Sequence, residues 1–322
     1  MRECVLTLIR KLKKAKEKYM YDIIIIGAGP AGLTAAIYAR RAEKSVLIIE
    51  KEAFGGQMAS SPCIENYPGF ESVSGSELAD KMVSQALALG AEIELAEVTS
   101  VTEGGAPDYA KLVHCGDDTF EAKAVIIAVG ARHRRLGLDR EEDFIGNGIS
   151  FCATCDGAFY SGKSVIVIGG GNSALIEALS LSDICTSVTI LQNLDFLTGE
   201  AKLRDAIYVK ENVKVVTGVT VEGILGGEEF EGVSIRHTST SEVERVLADG
   251  AFVAIGLEPK NEPFESLSSL DDAGYLITDE SCSGETPGVF IAGDCRTKRV
   301  RQIATAVADG ASAALAAVRF LS

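Results

Sequence analysis

The chain has 322 residues, 47% of them hydrophobic, which is enough to bury a sizeable core and predicts two domains. Its formal charge is −15, and because residues 1–20 carry seven basic and two acidic side chains, the rest carries −20. So acidic a body excludes a general nucleic-acid-binding protein. Eight cysteines with one close pair do not form the framework of a secreted disulfide-rich protein, so we expect a cytoplasmic location.

Residues 1–19 form a basic N-terminal extension whose leucines and isoleucine recur on a roughly helical period. This pattern fits a helix on a membrane surface and equally a solvated tail. The longest uncharged apolar stretch, residues 23–39, contains three glycines and a proline and is shorter than the roughly 20 residues that a membrane span needs. We therefore predict no stable membrane insertion.

The first predicted strand, residues 22–26, leads through the motif G-A-G-P-A-G into an alanine-rich helix, and a second strand ends at Glu50. In this context Gly27 permits a tight turn, Gly29 lets the backbone approach a pyrophosphate, and Gly32 lets the helix pack on the strand. The helix N-terminus attracts phosphates, and Glu50 can accept hydrogen bonds from a ribose. The predicted dinucleotide-binding residues are Gly27, Ala28, Gly29, Pro30, Ala31, Gly32, Glu50 and Lys51.

The same unit recurs in residues 164–191, where a strand leads through G-G-G-N-S-A into a second helix and a further strand. Gly27 precedes Glu50 by 23 residues, and Gly169 precedes Gln192 by the same number. The repeat predicts an α/β chain with two Rossmann-like, three-layer ββα dinucleotide-binding domains. The second glycine turn contributes the candidates Gly169, Gly171, Asn172, Ser173 and Ala174.

The two copies differ where the second strand ends. The first copy ends in an acid, whereas the second ends in Gln192-Asn193-Leu194, and residues 192–201 contain no lysine or arginine. Recognition of a ribose hydroxyl or a 2′-phosphate needs an acid or arginines there. We therefore interpret the second copy as a vestigial or weak nucleotide site.

Further motifs follow in the order expected for a flavin site. They are F-G-G-Q, E-N-Y-P-G, a strand ending at Gly130, a strand ending at Asp294, and R-Q before an alanine-rich helix. A strand-end acid beside a helix N-terminus suits a ribityl hydroxyl and a polar flavin edge. Each motif alone fits an ordinary strand and loop, but the ordered set indicates flavin binding. The added candidates are Gly55, Gly56, Gln57, Asn66, Gly130, Asp294, Arg301, Gln302 and Ile303.

The motif C-A-T-C-D-G places Cys152 and Cys155 just before the second Rossmann strand. Thiols at this spacing can close a disulfide, and a helix start lowers a thiol pKa. Half of a zinc site and two buried small hydrophobes are the alternatives, but the other cysteines form no second pair and the three histidines are scattered. Asp156, beside the pair, can protonate a leaving thiolate. Cys63 and Cys295 lie near flavin motifs, and we expect them to be buried packing residues.

On these motifs the chain from Met20 onward resembles the low-molecular-weight thioredoxin reductases, the class II FAD-dependent pyridine nucleotide-disulfide oxidoreductases. The resemblance implies FAD as cofactor, a homodimer, an FAD-binding domain of residues 20–130 and 257–322, and an inserted domain of residues 131–256 carrying Cys-x-x-Cys. It also implies that Cys155 accepts electrons from the flavin, that Cys152 attacks the disulfide of a thioredoxin-like partner, and that Asp156 handles the proton. A swivel near Ala131 and Gly256 is implied as well.

The chain departs from that family at the NADPH phosphate site. NADPH-using members carry His-Arg-Arg and a further arginine, where this chain has Gln192, Asn193, Leu194 and Thr198. Each charge-assisted hydrogen bond contributes roughly 1.5–3 kcal/mol, so losing two or three weakens NADPH binding on the order of a thousandfold or more. NADPH is therefore a doubtful cofactor.

Relatives independent of pyridine nucleotides take electrons from reduced ferredoxin or a reduced deazaflavin, and we expect such a donor here. Two basic runs form a hypothetical docking patch for an acidic iron-sulfur protein, the alternative being a solvated surface: Arg132, His133, Arg134 and Arg135, with Lys298, Arg299 and Arg301. Three competing functions remain open. They are an NADPH-dependent reductase with an atypical phosphate pocket, an oxygen-using flavin dithiol oxidase, and a non-catalytic flavin-binding scaffold.

Overall fold

The computed structural model describes residues 19–61, 63–104 and 110–322, with the side chain of Ser60 left out. The N-terminal extension, apart from Tyr19, lies outside the described residues. The chain divides into two compact units, and we call Met1–Arg132 with Glu258–Ser322 unit 1 and His133–Leu257 unit 2. The insertion expected from the sequence, residues 131–256, differs from unit 2 by two residues at its start and one at its end.

The regular elements alternate between strands and helices through most of the described chain. The strands are β1 (Met20–Ile26), β2 (Val46–Glu50), β3 (Glu92–Leu95), β4 (Ser100–Glu103), β5 (Lys111–Cys115), β6 (Asp118–Ile127), β7 (Ala131–His133), β8 (Ile149–Ser150), β9 (Ser164–Ile168), β10 (Ser187–Leu191), β11 (Val213–Val216), β12 (Val219–Gly226), β13 (Phe230–His237), β14 (Val243–Leu247), β15 (Gly250–Val253), β16 (Leu257–Pro259) and β17 (Val289–Ile291). The helices are α1 (Pro30–Arg41), α2 (Gly75–Ala88), α3 (Glu141–Phe144), α4 (Ala153–Asp156), α5 (Asn172–Ser182), α6 (Ala201–Tyr208) and α7 (Ile303–Phe320), with short 3₁₀ helices at Gly56–Ser60, Gly157–Tyr160, Glu262–Phe264 and Gly293–Cys295.

Unit 1 is built on a seven-stranded sheet of order β3-β2-β1-β6-β5-β4, with β17 also paired to β6. Strands β1, β2, β3, β6 and β17 are parallel, whereas β4 and β5 are antiparallel. The isoleucine run of β1 is buried on both faces, because Ile23 and Ile25 pack under the helices and Ile24 and Ile26 face the opposite core. The carboxyl ends of β1, β2, β6 and β17 therefore meet at one edge of the sheet.

Unit 2 repeats this plan on a five-stranded parallel sheet of order β11-β10-β9-β15-β8. One face packs against α4, α5 and α6 through residues such as Ala153, Ala174 and Ile207. The other face packs against an antiparallel sheet of β12, β13 and β14. Unit 2 is thus a three-layer ββα domain, in which the glycine turn after β9 lies at the carboxyl edge of the sheet.

The chain crosses between the units through β7 and β16, which form a two-stranded sheet. Next to it, the backbone N–H of Arg134 donates to the carbonyl of Gly256 at 3.0 Å. The first and last residues of unit 2 are therefore close together in space.

Within the described residues, α7 is the one helix long and apolar enough to cross a membrane by length and composition. It packs in the core of unit 1, where Ala306, Ala313 and Ala314 are buried. Its buried Asp309 forms ion pairs with Arg296 and Lys298. One face of α7 is thus buried in unit 1, and a third of the helix is buried in all.

Candidate functional site

The first glycine turn leaves open space in front of a helix start. Gly27 has a positive φ of 105°, and a Cβ there would lie 2.4 Å from the Ala128 carbonyl oxygen. A Cβ on Gly32 would lie 1.9 Å from the Gly27 oxygen, so both positions need glycine for close packing. A Cβ on Gly29, by contrast, would meet nothing within 4 Å. The backbone is therefore bare where α1 begins, with Pro30 in its first turn and no side chain capping it.

Two neighbouring segments are fastened to this turn. The Glu50 carboxylate accepts the Ala28 N–H at 2.7 Å through Oε2, and the N–H groups of Lys51 and Glu52 at 2.9 Å through Oε1. The Gly55 N–H donates to the Ala28 carbonyl at 2.8 Å. The end of β2 and the F-G-G-Q segment thus lie against the first glycine turn.

The C-terminal motifs reach the same edge of the sheet. A Cβ on Gly293 would lie 2.9 Å from the Ala31 Cβ, which puts the turn after β17 against the start of α1. Asp294 follows it, and the Arg301 guanidinium donates to the Asp294 carbonyl at 3.4 Å and covers the Tyr275 ring at 4.1 Å. Gln302 caps α7 through a capping box with Thr305, just before Ile303.

The remaining flavin candidates have contacts of their own within unit 1. The Asn66 amide donates to the Gln302 side-chain oxygen at 3.2 Å. The Gln57 amide donates to the Ala131 carbonyl, close to Gly130 with its φ of 69°. Of the two cysteines near these motifs, Cys295 is fully buried, whereas Cys63 is half-buried with Sγ 3.0 Å from the Ser72 hydroxyl.

These features fit the group that the sequence predicts for unit 1. The uncapped start of α1 and the empty volume beside Gly29 suit a pyrophosphate. Asp294 Oδ1 is buried and has no hydrogen-bond partner in the described chain, so it is left as an acceptor for a ligand hydroxyl. Burial raises the pKa of Asp294, and the cations of Lys298 and Arg301 oppose that shift. The residues present are suited to hold FAD.

A buried charge network beneath Asp294 was not predicted from the sequence. Asp309 on α7 accepts two hydrogen bonds from Arg296, at 2.9 Å each, one from Lys298 at 2.8 Å and one from the Gly293 N–H at 3.0 Å. Lys298 Nζ also lies 4.0 Å from Asp294 Oδ1. The network ties the turn that carries Asp294 to α7, and the pairing of Arg296 and Asp309 is invisible in a motif search.

In unit 2, Cys152 and Cys155 form a disulfide with Cα atoms 5.3 Å apart. Cys152 is the N-cap residue of α4, and the Cys155 N–H lies 3.2 Å from the Cys152 sulfur. Both cysteines are half-buried. Within the described residues, no group of three or more His, Cys, Asp or Glu side chains is placed to hold a metal ion.

Asp156 lies at the end of α4 with an unusual environment for a carboxyl group. Its Oδ1 is buried without a hydrogen-bond partner among described residues, while Oδ2 accepts the Ser150 hydroxyl at 2.6 Å. Burial raises its pKa and the Ser150 hydrogen bond opposes that shift. Ser150 also accepts the Cys152 N–H at 3.1 Å. Ser150 was not predicted as a site residue, because a serine two residues before a cysteine belongs to no recognisable motif.

Phe151, the residue before Cys152, is in contact with the side chains of His133 and Arg135 from the preceding segment. The His133 ring stacks on Phe151 with centroids 5.0 Å apart, and the Arg135 guanidinium lies 4.7 Å from the same ring. Burial lowers the pKa of His133 to about 4. These contacts fix the start of the loop that carries Cys152.

The second glycine turn is covered by the side chain of Gln192. A Cβ on Gly170 would lie 2.6 Å from the Gln192 amide carbon, and Gln192 is only 6% exposed. The N–H groups of Thr198 and Gly199 both donate to the Gly170 carbonyl, at 2.8 and 2.9 Å. The segment that follows β10 therefore folds back over the turn.

Charge at this turn is acidic rather than basic. Glu200 accepts the Asn172 amide at 3.1 Å and its own N–H donates to the Asn172 oxygen at 2.7 Å. Asn172 is the first residue of α5, followed by Ser173, Ala174 and the rest of the helix. Arg204, which follows the uncharged stretch, donates instead to the Leu197 carbonyl at 3.4 Å.

Two residues of the hypothetical basic docking patch were wrongly placed on the surface, and the patch itself stays a prediction. His133 and Lys298 are not surface cations, because burial favours neutral His133 and the Lys298 side chain is 6% exposed against Asp309. Arg132 pairs with Glu52, and Arg135 lies 3.8 Å from Glu142. Arg301 is half-buried over Tyr275. Arg132, Arg134, Arg135 and Arg299 are the exposed cations of the predicted set.

Comparison with known proteins places these features in context. Residues 21–310 match the family model described as "Pyridine nucleotide-disulphide oxidoreductase". A thioredoxin reductase of Listeria monocytogenes is 42% identical over 308 residues, covering 95% of this chain and 96% of that protein. A Clostridium pasteurianum protein named "34.2 kDa protein in rubredoxin operon" is 40% identical over 306 residues, covering 95% and 99%.

Solved structures agree with the fold. The thioredoxin reductase of Streptococcus pyogenes superimposes with a TM-score of 0.88 at 40% identity, covering 94% of this chain and 98% of that one. The enzyme of Giardia duodenalis gives 0.87 at 32% identity, covering 94% and 99%. The prediction of an α/β fold with two Rossmann-like domains is therefore confirmed.

Proposed function

Because the chain belongs to the pyridine nucleotide-disulphide oxidoreductase family, and within it to the low-molecular-weight thioredoxin reductases, it is an FAD-dependent disulfide oxidoreductase, and we propose that its substrate is the disulfide of a thioredoxin-like protein. The observation that carries this proposal is the Cys152–Cys155 disulfide beside the buried Asp156 carboxyl. The first glycine turn, Glu50 and Asp294 would hold FAD, whose chemistry when bound would be to supply two electrons for opening this disulfide.

The reduced pair then passes two electrons to the partner. The Cys152 thiolate attacks one sulfur of the partner disulfide, so that a mixed disulfide forms and one partner thiolate leaves. The Cys155 thiolate attacks the Cys152 sulfur, which re-forms the Cys152–Cys155 disulfide and releases the second partner thiolate. The two thiol protons of the reduced pair end on the two partner thiols.

Asp156 suits the proton transfers in this sequence. Its carboxyl lies one residue after Cys155, and Oδ1 is free of hydrogen bonds within the described chain. Burial raises its pKa, which favours the protonated acid, so the group can give a proton to a leaving thiolate. We propose the role of general acid and base for Asp156.

We further propose that the electron donor is not NADPH but reduced ferredoxin or a reduced deazaflavin. The segment after β10 supports this, since Gln192 stands where the first copy has an acid and residues 192–201 contain no arginine or lysine. A helix N-terminus favours a bound anion, but the Glu200 carboxylate already lies by the first residue of α5. A phosphate there would meet the negative charge of Glu200.

An anaerobic titration of the purified FAD-bound protein tests the donor. NADPH, NADH, reduced ferredoxin, reduced deazaflavin and a small dithiol are added separately while the flavin absorbance is followed. We expect bleaching by ferredoxin or deazaflavin and none by micromolar NADPH. Steady-state turnover with NADPH at a micromolar KM would overturn the donor proposal and support the NADPH-dependent alternative.

The same preparation tests the function of the cysteine pair. Cys155→Ser should abolish reduction of a thioredoxin disulfide while leaving FAD bound. Unchanged turnover in that variant would contradict the proposed route. Rapid reoxidation by air with peroxide release, driven by a small dithiol, would identify an oxidase instead.

A further inference from the structure

Ser150 lies at the junction of the sheet and the redox loop. It is the second residue of β8 and is paired with Phe252 of β15. Its side chain is 4% exposed, so the hydroxyl has little access to solvent. The position of its oxygen is thereby fixed by the sheet rather than by the loop that carries the cysteines.

The hydroxyl of Ser150 has one proton to donate, and the geometry commits that proton to Asp156. Ser150 Oγ lies 2.6 Å from Asp156 Oδ2. The same oxygen accepts the Cys152 N–H at 3.1 Å, and an amide can only donate in that contact. A directed chain therefore runs from Cys152 N–H through the Ser150 hydroxyl to Asp156 Oδ2.

This chain distinguishes the two oxygens of the carboxyl group. Oδ2 is engaged, whereas Oδ1 is buried with no hydrogen-bond partner in the described residues. We infer that Ser150 is a positioning residue, which holds the Asp156 carboxyl so that Oδ1 is the atom that takes and gives the proton. The inference rests on the proposed function, in which Asp156 serves the dithiol.

The hydrogen bond also has an electrostatic effect. A hydroxyl donor stabilises the ionised carboxylate more than the protonated acid, whereas burial favours the protonated acid. Without Ser150, the pKa of Asp156 should rise further. A larger fraction of Asp156 would then be protonated at a given pH, and the protonated form cannot accept a proton from Cys152.

The titratable side chains of the neighbouring elements do not replace the hydrogen bond from Ser150. Burial and the Asp156 charge raise the pKa of Tyr160, so the phenol stays neutral. Burial likewise raises the pKa of Glu177 on α5 and of Cys185 after that helix, so both groups tend to be neutral near pH 7. His133 and Arg135 lie against Phe151 at the start of the loop, and burial favours neutral His133.

The test is the pH dependence of thioredoxin-disulfide reduction by the full-length, FAD-bound protein, measured after chemical reduction so that the donor does not matter. We expect Ser150→Ala to slow the reaction at least about tenfold and to move the Asp156-dependent limb upward by about one pH unit. A second readout is the pH profile of Cys152 alkylation in the reduced protein, which needs no electron transfer.

A double-mutant cycle separates positioning from a structural effect. If Ser150 acts through Asp156, Ser150→Ala should add little in an Asp156→Asn background. Fully additive losses, or a pH limb unmoved in Ser150→Ala, would overturn the inference. Ser150→Thr, which keeps a hydroxyl, should restore the limb towards that of the parent.

Ser164→Ala provides a matched control in unit 2. Ser164 is the first residue of β9, and its hydroxyl, like that of Ser150, donates to an aspartate, here Asp249, at 2.8 Å. Its loss should leave both pH profiles unchanged, and thermal unfolding of each variant checks that it is folded. If Asp156→Asn itself has no effect, the proposed function of Asp156 fails; if only Ser150→Ala has none, the inference about Ser150 fails.

Discussion

Glu177 is a half-buried carboxyl residue of α5 that should affect the stability of unit 2. Its Oε2 has no hydrogen-bond partner in the described chain, and burial raises its pKa from the ordinary 4.5 to about 8. Between these two values the unfolded chain is ionised while the folded chain keeps the proton. The free energy of unfolding therefore falls as pH rises through this window.

Glu177→Gln should remove this pH dependence. The advantage of the variant over the parent should grow from pH 5 to pH 8 by at most about 1.4 kcal/mol per pH unit, because one pKa unit corresponds to that amount. Urea or thermal unfolding at pH 5.5, 7 and 8.5 measures it. Glu211→Gln, at an exposed position of the same unit, is the control. Parallel stability curves for the parent and Glu177→Gln would contradict the prediction.

At the residue scale, sequence reasoning found the chemistry that local motifs carry and missed what depends on distant partners. Cys152, Cys155 and Asp156 could be selected because a thiol pair and an adjacent acid are recognisable in the sequence. Ser150 could not, since its role depends on side-chain directions. Lys298 was assigned to the surface because lysines are rarely buried, and only its pairing with Asp309 explains the exception.

At the element scale, the two glycine turns offer a direct comparison. Gly29 and Gly171 occupy the same position, as the N-cap residues of α1 and α5, with φ values of −75° and −85°. An added Cβ meets nothing within 4 Å at Gly29, and at Gly171 its nearest neighbour is the Thr198 hydroxyl at 3.8 Å. Alanine is therefore compatible with the fold at both positions.

Gly29→Ala should fold normally but bind FAD at least about tenfold more weakly, because the methyl group enters the space left for the pyrophosphate. Gly171→Ala should leave FAD binding and turnover with the proposed donor unchanged, because no nucleotide needs that turn. Titration of the apoproteins with FAD, followed by flavin fluorescence, measures the first effect. Equal FAD affinity in Gly29→Ala and the parent would contradict the assignment of this turn.

The strand-helix-strand cores around these turns were predictable, because a buried apolar strand followed by a glycine motif is a strong local pattern. The ββα prediction implied a second β layer, but the strands β12, β13 and β14 that form it in unit 2 were not located from the sequence. Much of β12 and β14 is partly exposed, which weakens the apolar alternation that identifies such strands. The folding of Gln192 over Gly170 was also invisible, since it depends on how the segment after β10 turns back.

At the scale of the whole molecule, unit 2 is one continuous segment with its own sheets and cores, whereas unit 1 is made from both ends of the chain. We predict that residues 133–257, expressed alone, fold, form the Cys152–Cys155 disulfide and stay colourless, because all the flavin candidates lie in unit 1. Circular dichroism, thiol titration and an absorbance spectrum test this. An unfolded fragment, or one that binds FAD, would contradict the domain assignment.

The complementary fragment is unit 1 alone, with residue 132 joined to residue 258 by a short glycine linker. We expect this fragment to bind FAD.

The homodimer implied by the family resemblance stays a prediction, and sedimentation of the full chain measures it. The domain order was inferable because the flavin motifs occur at both ends of the sequence, with the cysteine motif and second repeat between them.

The contact between the Arg134 amide and the Gly256 carbonyl has a consequence for how such enzymes can diversify. An inserted domain whose first and last residues lie close together can be exchanged as a whole without changing the rest of the chain. Grafting the equivalent cassette of an NADPH-using relative between residues 132 and 258 should yield a chimaera that keeps this flavin host and acquires the relative's choice of reductant.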